Sequence, residues 1–275
     1  MLYGIGAVLP HKSPEDWAET LEKKGFQACS FPVTSRASDA EIFAYQKALN
    51  DHNIHIAEVG IWDSPFSTDP KKAAEVRDYS IHQLELADML GADCCSNVSG
   101  AVGPVWYAYY PENYAGDAYK RVEDYVRELL DRADPKRTVF GLEIMQWMLP
   151  DSVASYKKLI DDIGDPRFGA HLDPINLINS MDIVRNYDAV NEEACRVLGP
   201  VTASCHLKDY RLLDGTTLQI EECVVGTGLA DIGAYIERIR AIRPDMPMLF
   251  EHLKNWEEYD ACLAYVKSLE EKKAQ

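Results

Sequence analysis

The sequence predicts an α/β fold, a single (β/α)8 barrel that takes in residues 1–275. Three observations lead there. Apolar strand signals and helix signals alternate eight times along the chain. Such alternation means parallel strands joined by crossover helices. No Gly-rich nucleotide turn follows an early strand, so a closed barrel suits the chain better than an open doubly wound sheet. Its 275 residues also match one barrel, which takes about 250, and no linker or shift of composition divides them.

Residues 2–8 are apolar with glycines and make the first strand. Ser13-Pro14-Glu15-Asp16 opens a helix, with Ser as N-cap, Pro at the first position and acids in the first turn; Gly25 ends it. Residues 27–32 are a short second strand. Ser38-Asp39-Ala40-Glu41 reads as a capping box, and its helix runs to about Asn50. Residues 55–62 are the third strand. Asp69-Pro70 starts the next helix, which reaches Leu90 before Gly91. Residues 94–98 are the fourth strand, and an aromatic loop containing Trp106 follows. From about Gly116 to Ala133, Tyr119, Val122, Tyr125, Val126 and Leu129 recur at helical spacing. The fifth strand ends at Glu143, with Trp147 in the loop beyond. Pro150-Asp151-Ser152 leads into a helix that Gly164 ends. Residues 168–174 are the sixth strand. A long helix over roughly 180–198 stops at Gly199-Pro200, and residues 201–209 are the seventh strand. Residues 210–229 read as a long loop with a hairpin around Asp214-Gly215. A helix over about 231–242, an eighth strand over 246–252 and a last helix over about 256–271 complete the pattern.

An apolar fraction of 47% and a charged fraction of 27% are those of an ordinary globular protein. No apolar run approaches the roughly 20 residues of a membrane helix, and residues 1–8 lack the basic start of a signal peptide. The seven cysteines include no Cys-x-x-Cys pair and sit mostly in apolar segments. Reduced thiols in a cytoplasm are expected. A net charge of -17 without a basic stripe speaks against nucleic acid as a partner. Gly226-Thr227-Gly228 lacks the third glycine of a dinucleotide loop and lies far down the chain.

Chemistry gathers at four strand ends. Ala170-His171-Leu172-Asp173 puts an imidazole and a carboxylate on one face of a buried strand, because alternate residues share a side. Buried ionisable groups cost free energy unless something compensates them. Leu142-Glu143, Cys205-His206 and Phe250-Glu251 end other apolar strands the same way. In a barrel of this kind, strand C-terminal ends carry the reactive groups. Glu143, Asp173, His206 and Glu251 thus fall on four consecutive strands and should hold one divalent metal. Three carboxylates and one imidazole suit Mn²⁺ or Mg²⁺; Zn²⁺ and Co²⁺ are compatible. Cys205 has the opposite parity to His206 and should face the helices.

These motifs, with His206-Leu207-Lys208-Asp209 and Gly226-Thr227-Gly228, resemble the xylose-isomerase-like TIM-barrel superfamily across almost the whole chain. The look is closest to its ketose 3-epimerases and inosose dehydratases. The resemblance implies one Mn²⁺ held by Glu143, Asp173, His206 and Glu251, with both glutamates as acid and base. It implies a metal-dependent epimerase or isomerase that forms a cis-enediolate on a small keto-sugar. A lyase or dehydratase on a keto-sugar or keto-inositol shares the first step. A barrel that only binds sugar would be marked by loss of a ligand, and all four are present. A homodimer or homotetramer is implied as well. Asn176 stands where relatives carry a histidine, and it suits a sugar hydroxyl better than a second metal. The histidines of the endonuclease branch are missing from early strands, apart from His55 at a strand start.

Around that centre, Lys208 shares the parity of His206 and should reach the barrel mouth, to steady an enolate oxygen or bind a hydroxyl. Arg211 is a further candidate there. His171 is read as substrate-binding or as a partner to a ligand carboxylate. Trp62, Trp106 and Trp147 lie at or after strand ends and should wall a sugar pocket. Glu58 has the parity of Trp62 and is assigned no role. No phosphate signature is visible, so an unphosphorylated sugar is expected.

Overall fold

The computed structural model describes residues 1–273. Its strands are β1 (Leu2–Ile5), β2 (Ala28–Ser30), β3 (His55–Gly60), β4 (Cys94–Asn97), β5 (Val139–Glu143), β6 (Phe168–Leu172), β7 (Thr202–His206), β8 (Asp209–Leu212), β9 (Ile220–Cys223) and β10 (Pro247–Phe250). All but β8 and β9 close into a parallel barrel, with β10 between β7 and β1. The helices are α1 (Pro14–Lys24), α2 (Asp39–Asp51), α3 (Pro70–Leu90), α4 (Ala118–Ala133), α5 (Val153–Ile163), α6 (Met181–Arg185), α7 (Tyr187–Leu198), α8 (Ile232–Ile242) and α9 (Trp256–Lys273).

Local chemistry sets the helix starts. Ser13, Ser38, Asp69 and Ser152 each accept a backbone N–H from the first turn of their helix. On α4, Val122, Tyr125, Val126, Leu129 and Leu130 are buried against the barrel. Each such aliphatic side chain contributes about 1.5–3 kcal/mol when taken out of water. Cys205 lies in the apolar layer between strands and helices, beside Tyr235 of α8. Among the described residues, no helix is long and apolar enough to cross a membrane.

One element differs from expectation, and a second, the hairpin around Asp214-Gly215, is present as expected. The helix over 180–198 is broken into α6 and α7 at Asn186, whose side chain donates to the Asp182 carbonyl 2.9 Å away. The same carbonyl also accepts the Asn186 backbone N–H at 3.2 Å, so Asn186 caps the end of α6 with two donors. Within 210–229, the chain forms an antiparallel hairpin, β8 with β9, in which Asp209 pairs with Cys223 and Leu212 with Ile220. Its cross-strand pairs are mostly polar, so it lacks the apolar alternation of a strand.

The barrel interior is where this chain departs from a plain hydrocarbon core. Glu143, His171 and Ser204 stand in register on β5, β6 and β7. Ser30, Glu58, His171, Ser204 and His206 are all buried. Polar groups packed this way must satisfy one another.

Candidate metal centre and active site

The ends of β5, β6, β7 and β10 bring Glu143, Asp173, His206 and Glu251 together. His206 Nδ1 lies 3.6 Å from Glu143 Oε1, 3.4 Å from Asp173 Oδ2 and 3.2 Å from Glu251 Oε2. Ligands about 2.1 Å from one ion stand about 3.0–3.4 Å apart, so this spacing fits a divalent cation. Asp173 Oδ2 and both ring nitrogens of His206 are buried without a hydrogen-bond partner. Buried polar atoms left so are uncommon, and an ion at this point would satisfy Asp173 Oδ2 and His206 Nδ1, while Nε2 points to the far side of the ring. Asp173 also shapes the chain beyond its strand, since its Oδ1 accepts the Ile175 N–H at 3.2 Å and starts the short 3₁₀ turn after β6.

Behind the cluster sits Glu58, to which strand parity alone assigns no role. Its Oε2 is 2.8 Å from His171 Nε2 and 3.2 Å from Ser204 Oγ, and its Oε1 accepts from Ser30 Oγ. That same Oε1 faces His206 Nε2 at 3.7 Å. The ring of His206 therefore has carboxylates at both ends, and Glu58 favours the form that leaves Nδ1 free to ligate. Burial opposes a charge on Glu58, but His171 and His206 outweigh it and hold the carboxyl well below its ordinary value. His171 is fully buried and packs edge-on against Trp62 and His206. It has no surface with which to meet a sugar, so its place is beside Glu58, and the expectation of substrate contact is corrected.

Lys208 enters the cluster from the other side. Its side chain is 2% exposed, with Nζ 2.8 Å from Asp173 Oδ2 and 2.9 Å from Glu251 Oε2, outside good hydrogen-bonding alignment with either. It also lies 3.5 Å from Glu222 Oε1 and 3.3 Å from His252 Nδ1. Burial disfavours its charge, yet Asp173, Glu251 and Glu143 keep the ammonium well above its ordinary pKa. The carboxylates divide. Burial pushes Glu143 up, beyond what His206 and Lys208 can offset. At Asp173 burial is outweighed by Lys208 and His206, and the carboxyl falls well below its usual range. At Glu251 burial is overcome by His206, Lys208 and His252, and the value falls to about 2.

A cavity of about 780 Å³ opens over the cluster. Glu143, Asn176 and Glu251 reach its floor, and Trp62, Trp106 and Trp147 line it. Asn176 Nδ2 donates to Glu143 Oε1 at 2.6 Å. Trp62 has a left-handed backbone (φ 51°) and folds back over Gly60, where any Cβ would run into its indole. Arg211 pairs with Glu221 on the hairpin at 2.6 Å, with about half of its side chain in solvent. Arg211 is not among the residues that line the cavity. Glu222 and His252 also line the cavity, 2.8 Å apart, and sequence reasoning does not find them. Glu222 needs the β8–β9 hairpin to aim it. His252 needs a positive φ of 58° that breaks strand alternation. Only Glu58 carries a visible signal, an acid inside an apolar strand.

Comparison with known proteins bears on the whole barrel. No match to a curated protein sequence was found. A D-psicose 3-epimerase from Clostridium cellulolyticum H10, solved with D-tagatose, superposes with a TM-score of 0.69 at 15% identity, over 98% of this chain and 99% of that one. A 3-keto-D-glucoside 4-epimerase from E. coli gives 0.72 at 13% identity, over 98% and 99%. A xylose isomerase-like TIM barrel protein from Mycobacterium smegmatis, in complex with magnesium, gives 0.66 at 16% identity, over 94% and 89%. At these identities the likeness is one of fold. The family model for the xylose isomerase-like TIM barrel matches residues 17–269, and the chain belongs to that family.

Proposed function

We propose that the protein is a divalent-metal-dependent isomerase or epimerase of a keto-sugar or related polyol carbonyl compound. The observation that carries this reading is the convergence of Glu143, Asp173, His206 and Glu251 at the floor of an aromatic-walled cavity. Epimerases among the structures of like fold support it. The three carboxylates and one imidazole suit Mn²⁺ or Mg²⁺, and one relative of like fold was solved with magnesium. A divalent ion supplies Lewis-acid charge where oxyanion character develops during enolisation.

The chain's own groups do the rest. One of Glu143 and Glu251 removes the proton next to the carbonyl to give the cis-enediolate, and the other returns a proton. Return to the opposite face of the same carbon is epimerisation; return to the neighbouring carbon is isomerisation. Lys208 Nζ, fixed between Asp173 and Glu251, places a positive charge beside the developing oxyanion. Asn176 orients Glu143 and offers its amide to a sugar hydroxyl. Glu58 holds His206, and Trp62 and Trp106 present flat apolar faces to the C–H side of a sugar. A lyase is the second reading. Glu222 and His252, paired at 2.8 Å on the cavity wall, could protonate a β-leaving group after the same first step. All seven cysteines are free thiols, six of them buried, which fits a reducing compartment.

The test is a panel of keto-sugars and inososes incubated in D₂O with the Mn²⁺-loaded protein and followed by NMR. Deuterium at the carbon next to the carbonyl, with epimer or isomer formed, is expected. Loss of a hydroxyl or glycosyl group would select the lyase. No exchange with any member would overturn both.

A further inference from the structure

We infer that the substrate is an uncharged glycoside-type sugar carrying an apolar group, larger than a free monosaccharide and without phosphate or carboxylate. This rests on the sugar reading above and names the class within it. The first ground is size. The cavity measures about 780 Å³. At the roughly 30 Å³ that a water occupies in the liquid, an upper bound per non-hydrogen atom, a hexose of about twelve such atoms fills no more than about 360 Å³. A free hexose leaves more than half of the space to water.

The second ground is what lines the remainder. An aromatic ladder starts at His206 and leads outward. Trp62 lies 6.5 Å from the His206 ring, Trp106 lies 6.5 Å from Trp62, and Tyr107 lies 5.1 Å from Trp106, centroid to centroid. Tyr107 stands 52% exposed at the mouth, and Leu218 of the hairpin turn, which lines the same cavity, is 46% exposed. Apolar side chains left open beside a polar floor are the mark of a surface that a ligand covers. Sugar hydroxyls alone do not match them; an aromatic or aliphatic aglycone does.

The third ground is charge. The lining carries three carboxylates, Glu143, Glu222 and Glu251. Among the lining residues only His252 can be cationic, and Glu222 faces it at 2.8 Å. Lys208 is occupied by Asp173 and Glu251. Away from the metal position, a phosphate or carboxylate on the substrate would meet no unpaired cationic side chain among the lining residues, and the net charge of -17 repels it from a distance.

The experiment is isothermal titration of the Mg²⁺-loaded protein with phenyl β-D-glucoside, methyl β-D-glucoside and glucose 6-phosphate. The proton-exchange assay is run alongside with the matching 3-keto glucosides and with free ketohexoses. Phenyl glucoside is expected to bind at least about tenfold tighter than methyl glucoside, the scale of burying one aromatic ring, and glucose 6-phosphate weakest of the three. Tyr107→Ala and Leu218→Ser are expected to shrink the phenyl-to-methyl ratio severalfold. Equal binding of the two glucosides, with exchange on free ketohexoses as fast as on keto glucosides, would overturn the inference and leave the sugar reading standing. Tightest binding of the phosphate would do the same. If Tyr107→Asp and Leu218→Asp turn a dimer into a monomer without changing the phenyl preference, the rim is a contact between copies and the inference fails. Absence of both sugar binding and exchange, with metal bound, would overturn the sugar reading itself.

Discussion

At the scale of single residues, the site depends on a buried acid that never touches the cavity. Glu58 faces His206 Nε2 on the side away from Glu143, Asp173 and Glu251. Partners of a metal-bound histidine set its orientation and basicity, and their loss costs about 10–100-fold in metal affinity. Glu58→Gln is therefore expected to weaken Mn²⁺ binding by about that factor in a direct metal titration, while the folded protein persists. Unchanged affinity would show that His206 is held by packing alone. The four clustered residues themselves are legible in the sequence, because a charged residue at the end of an apolar strand breaks the rule of burial and demands a cause. Glu58 obeys the same logic. It stands apart because its partner His171 is 113 residues away, a distance that only the closed barrel removes.

At the scale of elements, two carboxylates tie segments together. Asp209 follows the ligand strand β7 and begins β8, and its carboxylate accepts the N–H groups of Gly226, Gly228 and Ala230 at 3.0, 2.8 and 3.0 Å. The Gly226-Thr227-Gly228 loop is thereby a cradle for an internal acid, with Gly228 leaving no room for a Cβ beside Asp209. Asp209→Ala should leave those partly buried donors without their acceptor and loosen the hairpin that presents Leu218 and Glu222. A cost of about 1–3 kcal/mol is expected in urea unfolding, with faster amide exchange over 209–230. Asp88, near the end of α3, accepts N–H groups from Lys136, Arg137 and Thr138 ahead of β5. Burial tends to raise this carboxyl, and the three donors more than offset it, so it lies below its ordinary value. A lowered folded-state pKa gives stability that is present above the unfolded value, about 3.9, and is lost as pH falls through the folded value. Asp88→Asn should be about 1–2 kcal/mol less stable at pH 7, with the gap closing below about pH 4. A gap that stays constant with pH would contradict this role. Strands and caps are readable because each is local. The β8–β9 hairpin reads from its Asp214-Gly215 turn, whereas the break at Asn186 does not show, because a side-chain bond marks it rather than periodicity.

At the scale of the whole molecule, the barrel concentrates three carboxylates at one end of a chain of net charge -17. A bound cation offsets their repulsion and adds its binding energy to the folded state. Metal at about a hundred times its dissociation constant stabilises by about 2.7 kcal/mol. Chelation should lower Tm, and Mn²⁺ or Mg²⁺ should restore it in proportion to the logarithm of concentration; a Tm indifferent to chelator would argue against a resident ion. Topology is legible from alternation alone, whereas the depth of the cavity is not, since it is built by loops whose directions the strands do not dictate. The most direct measurement concerns the two glutamates of the proposed metal centre. Glu143→Gln and Glu251→Gln keep the side-chain shape and remove the base. With metal shown to be bound by elemental analysis, each should slow exchange of the proton next to the substrate carbonyl with D₂O by about 10²–10⁴. Exchange at the parent rate in either metal-loaded variant would contradict the assignment of proton transfer to that glutamate.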